Sequence, residues 1–134
     1  MSVYDEPAFQ LGPVGQIMLG VADLARSEAF YGGVLGLRRL FEAEGQAVYD
    51  AGEIRIMLQV RADHETLRPG SPIHFRVYDI RRARRELEGR GVAFTEPVQM
   101  IAAFRDHNLW TTEFIDPDGH RLALMMEGPK GFAA

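Results

Sequence analysis

Two histidines, two glutamines, an arginine and a single tryptophan are the side chains through which this 134-residue chain could do chemistry. His74 and Arg76 stand two apart in the run Pro72-Ile73-His74-Phe75-Arg76-Val77. On an alternating strand both point the same way. An imidazole titrates near neutrality, so His74 could act as a general base or ligate a metal; it could equally be a histidine hydrogen-bonded inside a polar barrel. Arg76 could hold a carboxylate or phosphate through two N–H bonds, or pair with Glu113 or Glu127 across a sheet. Gln16 and Gln59 offer amides, and Met18, Met57 and Met125 offer a lining that adapts to a ligand's shape. A second group lies in "MIAAFRDHNLW" (100–110), read as a loop. There Trp110 beside His107 could form a lid over a site, or plug a barrel. Glu113 is an alternative acid, and His74, His107 and Glu113 together could make a three-ligand metal site. His64 and His120 fall in a linker and a turn and are read as surface residues.

Composition narrows these chemistries. With no cysteine, the chain can form neither disulfides nor zinc–thiolate sites, and has no thiol nucleophile. A formal net charge of -4 argues against nucleic acid, whose phosphates need a basic surface. No apolar run approaches the roughly 18 residues of a membrane span, and the acidic start "MSVYDEPAF" lacks a signal peptide's plan. A cytoplasmic protein is expected. At 46% hydrophobic and 25% charged residues, it can bury a core as a single domain over 1–134.

The elements that must position these side chains repeat. "QIMLGVADLARSEAFY" (16–31) and "PIHFRVYDIRRARREL" (72–87) are each an alternating strand ending in Val-x-Asp, then a helix. Asp23 and Asp79 are the expected N-caps. In the second helix Ile80, Ala83 and Leu87 form the apolar stripe. Arg81, Arg82, Arg84 and Arg85 either bind an anion or make a solvated face paired with Glu86 and Glu88. Glycines stop both helices, at 34–37 and 89–94. Strand-like runs follow at 37–44, 46–50 and 53–60, and again at 92–98, 109–115 and 121–127. Each half is therefore βαβββ, giving an α+β fold. Module one spans about 13–60, a linker 61–71, module two about 72–127 and a tail 128–134, which could be disordered or dock Phe132 on a partner. The free faces of the two modules are expected to form a curled mixed sheet around a cavity, with the helices outside.

The ordered set "QIMLGVADLARSEAFYGGVLGL", "HFRVYDIRRARRELEGRGVAF" and "FIDPDGHRLALM" resembles the vicinal-oxygen-chelate superfamily: glyoxalases, bleomycin-resistance proteins, extradiol dioxygenases and methylmalonyl-CoA epimerases. The resemblance spans nearly the whole chain and implies the paired-module fold. Metal-dependent members carry four inward ligands, one on each of four strands. Carried to this chain, those positions are Gln16, Pro72, Ala123 and Met57, the last with Ile56 or Leu58 as neighbours in doubt. Only Gln16 retains a family ligand, since proline, alanine and methionine give a hard divalent cation nothing.

The resemblance thus implies one of two functions. The first is metal-free binding of an apolar or aromatic small molecule, in the manner of the drug-sequestering resistance proteins, with no cofactor. The alternative is a glyoxalase-type lyase or isomerase whose divalent metal has a relocated site, His74 being two positions beyond the family's ligand. A structural or regulatory subunit is a third class. The ligand-binding set is Gln16, Met18, Met57, Gln59, His74, Arg76, His107, Trp110 and Met125, with His74 as the candidate catalytic residue. The resemblance also implies a homodimer, with halves from two chains completing or flanking each cavity. No nucleic acid or membrane partner is expected.

Overall fold

A computed structural model describes residues 14–61 and 71–132. The expected linker therefore lies outside the described residues apart from its two ends, as do His64 and the last two residues of the tail. The chain runs β1 (Gln16–Val21), α1 (Leu24–Glu28), which continues as a π-helical turn over Ala29–Val34, then β2 (Arg38–Ala43), β3 (Gln46–Asp50) and β4 (Arg55–Val60). The second module repeats the plan with β5 (Ile73–Arg76), α2 (Ile80–Gly89), β6 (Gln99–Ala103), β7 (His107–Ile115) and β8 (Arg121–Pro129). The α+β reading from the sequence is what the structure has. It takes the form of two four-stranded mixed sheets, ordered β1-β4-β3-β2 and β5-β8-β7-β6, that do not close on one another. In each, the first strand lies parallel to the last and the other pairs are antiparallel.

Local chemistry explains the boundaries. Asp23 and Asp79 both cap their helices, accepting from the amides of Arg26 and Arg82 at 3.1 Å. Gly91 ends α2 at a φ of 92°, a left-handed backbone that side-chain-bearing residues avoid. Ile80 is fully buried on the stripe expected of α2. Of its arginines, Arg81, Arg82 and Arg85 are solvated. Arg84 instead docks: it donates to the Glu96 carbonyl at 2.7 Å and the Thr112 hydroxyl at 2.8 Å, and lies 4.6 Å over the Phe94 ring.

Two strand assignments shift. Residues 92–98 form no strand: Phe94 makes one isolated bridge to Phe114, and Pro97 has no N–H to extend it. The paired strand is β6, so most of 100–110 belongs to a hairpin, β6 turning into β7 at Phe104–Asp106, rather than to a loop. The tail also begins in a strand, since β8 runs to Pro129. Among the described residues, no helix is long and apolar enough to cross a membrane.

One core joins the modules. Leu19, Val21, Tyr49, Ile56 and Leu58 from the first sheet cluster with Phe114, Leu122, Leu124 and Met126 from the second, with Tyr31 and Ile80 between. All of these sit on the faces that carry the helices. The opposite face of each sheet therefore points away from the core.

Candidate functional site

Register fixes which side chains share those outer faces. On the first sheet Met18 of β1 lies beside Met57 of β4, which lies beside Val48 of β3. Gln16 and Arg55 form the row on one side, Gly20 and Gln59 the row on the other. On the second sheet His74 lies beside Ala123 and Ala123 beside Glu113, while Arg76, Met125 and Thr111 make the next row. Every position expected to face the cup on these strands therefore shares a face with the others on its sheet, because the period of two is kept through β1, β4, β5 and β8.

The side chains on these faces are largely committed to one another. The Gln16 amide points at the Met57 sulfur, 3.9 Å away. Gln59 accepts from Gln46 at 2.6 Å. Arg76 pairs with Glu127, donating from Nε at 3.1 Å and Nη2 at 2.8 Å to the same oxygen. Glu113 faces the cup and receives Arg121 through three N–H contacts of 2.9 to 3.1 Å. His107 also lies on this face; its Nδ1 bonds Asp106 at 2.7 Å, its Nε2 lies 3.6 Å from Glu127, and its ring stacks on Phe104. The hydrogen bond from His107 holds the Asp106 carboxyl below the usual carboxylate range. His74 is exposed.

A concavity of about 440 Å³ gathers part of this set. Asp50, Gly52 and Ile54, around the β3–β4 turn of module one, face His74, Arg76 and Met125 of module two. It contains neither Gln16, Met18, Met57 nor Gln59. Those four lie together on the first sheet, where Met18 is 51% exposed. The cup expected to hold all the candidates thus falls into two separate faces within one chain.

The proposed ligand trio His74, His107 and Glu113 does not assemble. His74 and Glu113 flank Ala123, whereas His107 lies opposite Pro129, six residues along β8. That is roughly 20 Å at the rise of a strand. Among the described residues no three His, Asp or Glu side chains converge as a metal site would require. Trp110 corrects the lid reading: it is cross-strand from Met126, on the helix-side face, and packs edge-to-face on Phe132 at 5.6 Å. Trp110 stands three residues from His107 on β7, and an odd number of steps along a strand reverses the face. Phe132 accordingly docks within its own chain.

His120 is a second correction. It is half-buried, and its Nε2–H donates to the Gly20 carbonyl at 2.8 Å, tying the second module's turn to β1. The same turn carries Asp118, whose side chain is 2% exposed. Asp118 accepts from the Ala22 amide at 2.9 Å, Arg26 at 3.0 Å and the Ser27 hydroxyl at 3.1 Å. Asp116 accepts the Tyr31 hydroxyl at 2.7 Å. Burial, with the Asp116 charge beside it, pushes the Tyr31 phenol far above its ordinary pKa. These turn residues tie the second module to the first.

The sequence profile of the glyoxalase/bleomycin resistance protein/dioxygenase superfamily matches residues 14–124. A search of the curated proteins finds no match. Similar solved structures include an integron cassette protein from the mobile metagenome of V. cholerae, 22% identical, with a TM-score of 0.70 over 89% of this chain and 98% of that one. A superfamily member from Sphaerobacter thermophilus is 24% identical, with a TM-score of 0.71 over 87% and 98% of the two chains. A virulence protein from Salmonella typhimurium is 18% identical, with a TM-score of 0.72 over 89% and 99%. These likenesses concern the fold. With the profile covering both βαβββ modules, the chain belongs to the glyoxalase/bleomycin resistance protein/dioxygenase superfamily.

Proposed function

We propose that this protein binds an apolar or aromatic small molecule on its outer sheet faces, without the superfamily's usual metal, as a homodimer in which a second copy completes each cavity. The observation that carries this is the donor set. At the four positions where catalytic relatives hold a metal, this chain has Gln16, Met57, Pro72 and Ala123, and the Gln16 amide is directed at the Met57 sulfur. Methionine and alanine supply no ligand to a hard cation, whereas exposed Met18 beside Met57 gives an adaptable apolar surface. The carboxylate nearest the Ala123 position, Glu113, is engaged by Arg121. The residues present do not fit the metal, so no metal-assisted step is assigned to them. Apolar groups exposed on the outer faces of both sheets, such as Phe41 at 56% and Ile115 at 45%, support association with a second copy.

The test labels the methionine methyls and follows them by NMR in metal-free buffer as indole or 1-naphthol is added. Saturable shifts at Met18 and Met57 are expected, with Met126 in the core unmoved. In parallel, Ni²⁺, Zn²⁺, Mn²⁺ and Fe²⁺ are offered and bound metal is counted after desalting. Stoichiometric metal that is lost in Gln16→Ala would overturn the reading in favour of the lyase or isomerase alternative.

A further inference from the structure

A concavity larger than the one at His74 lies at the edge of the second sheet's outer face. It has a volume of about 660 Å³ and sits where β5 leaves its sheet for α2 and where β8 ends. Tyr78 and Phe132 supply its aromatic groups, Val77 and Met126 add apolar surface, and Asp79 and Glu127 bring carboxylates. Arg76 is the residue it shares with the smaller concavity at His74.

Three features define what such a site would accept. Tyr78 is 100% exposed, so no other part of the described structure uses its ring. Phe132, by contrast, is held in place against Trp110. One aromatic group is therefore free to fold over a guest and the other is fixed behind it. The charges are also unevenly satisfied. Arg76 gives both of its contacting N–H groups to one oxygen of Glu127, and Asp79 gives one oxygen to the α2 amide of Arg82. Among the described residues no donor is within hydrogen-bond distance of the second oxygen of either carboxylate, His107 lying 3.6 Å from that of Glu127. An anion would meet two carboxylates, an arginine already engaged, and a helix N-terminus already capped. A cation would meet two acceptors beside two aromatic rings.

We infer that this concavity is a second binding site, separate from the methionine face, for an organic cation: an ammonium group carried on an aromatic or apolar body. The ammonium lies between Asp79 and Glu127, and the body lies between Tyr78 and Phe132. Apolar surface supplies the burial and the carboxylates select the sign of the charge.

Phenethylamine and phenylacetate, which share a ring and differ in charge, test this with backbone amide NMR on the full chain. Phenethylamine is expected to give saturable shifts at Val77, Tyr78, Gly128 and Phe132, with phenylacetate binding at least tenfold more weakly. Tyr78→Ala, at a fully exposed position, and Asp79→Asn, which keeps a competent helix cap, should each weaken phenethylamine at least fivefold. Met57→Ala should leave it unchanged, which separates failure here from failure of the methionine-face reading. Equal or tighter binding of phenylacetate, or shifts confined to the Met18 and Met57 rows, or no saturable shift at all, would overturn the proposal.

Discussion

Asp118 ties the two modules together through a single carboxylate. Its carboxylate is nearly sealed from water and accepts three donors from the first module while sitting in a turn of the second. Hydrogen bonds to a charged group contribute more than neutral ones, and their loss leaves buried donors unpaired. Asp118→Ala should cost about 3 kcal/mol in denaturant unfolding on this basis. Tyr31 offers a pH-dependent counterpart. Its folded pKa is raised and its unfolded value is 10.0, so its contribution is full below pH 10.0 and declines as pH rises through and beyond it, because only the unfolded chain can ionise there. Tyr31→Phe should flatten the alkaline loss of stability above that pH, while lowering stability at neutrality by about 1–2 kcal/mol for the lost bond to Asp116. An unchanged alkaline slope would contradict the account. Turn chemistry at this site was legible in Asp-Pro-Asp-Gly, and Gly119 has the expected positive φ, 87°. The first-module partners of Asp116, Asp118 and His120 were not, because they lie 85 to 100 residues away in sequence.

At the scale of elements, α2 shows how one of four similar arginines becomes structural. Only Arg84 reaches a carbonyl, a buried threonine and an aromatic face together. Arg84→Ala should lose about 1–2 kcal/mol by thermal or chemical denaturation, whereas Arg81→Ala and Arg85→Ala should stay within about 0.5 kcal/mol. Equal effects at all three would show that the helix contributes through its charge alone. Strand placement was readable wherever alternation was unbroken, as over β3, whose bounds match the sequence reading. It failed at β6 because a register shift between Met100 and Ala102 breaks the period of two, and Pro97 sits inside the more strand-like run before it. The hairpin that results turns Trp110 toward the core, so the residue that looked most like a lid is a packing residue.

For the whole molecule, the shared helix-side core is the deciding feature. It binds the two sheets through one set of faces and leaves apolar groups of the other set, such as Met18, Phe41 and Ile115, exposed within a single chain. The dimer proposed above follows from that arrangement, and light scattering on a size-exclusion column should give twice the chain mass of 15.0 kDa. Met18→Glu, which places a charge on the exposed methionine row, should move the protein toward the single-chain mass without loss of secondary structure. A wild-type mass of 15.0 kDa would overturn it.

The sequence by itself determined the tandem βαβββ plan, the two aspartate caps, the faces of β1, β4, β5 and β8, and the superfamily. Each of these depends on residue type, a short spacing or a period, which are local properties of the chain. Tertiary structure alone decided which side chains on those faces meet. His107 lies far along β8 from Ala123, Glu113 is spent on Arg121, and the methionine row and the His74 concavity stay apart. Those outcomes depend on register shifts and on how two sheets pack around a common core. Neither is encoded in spacing within one strand.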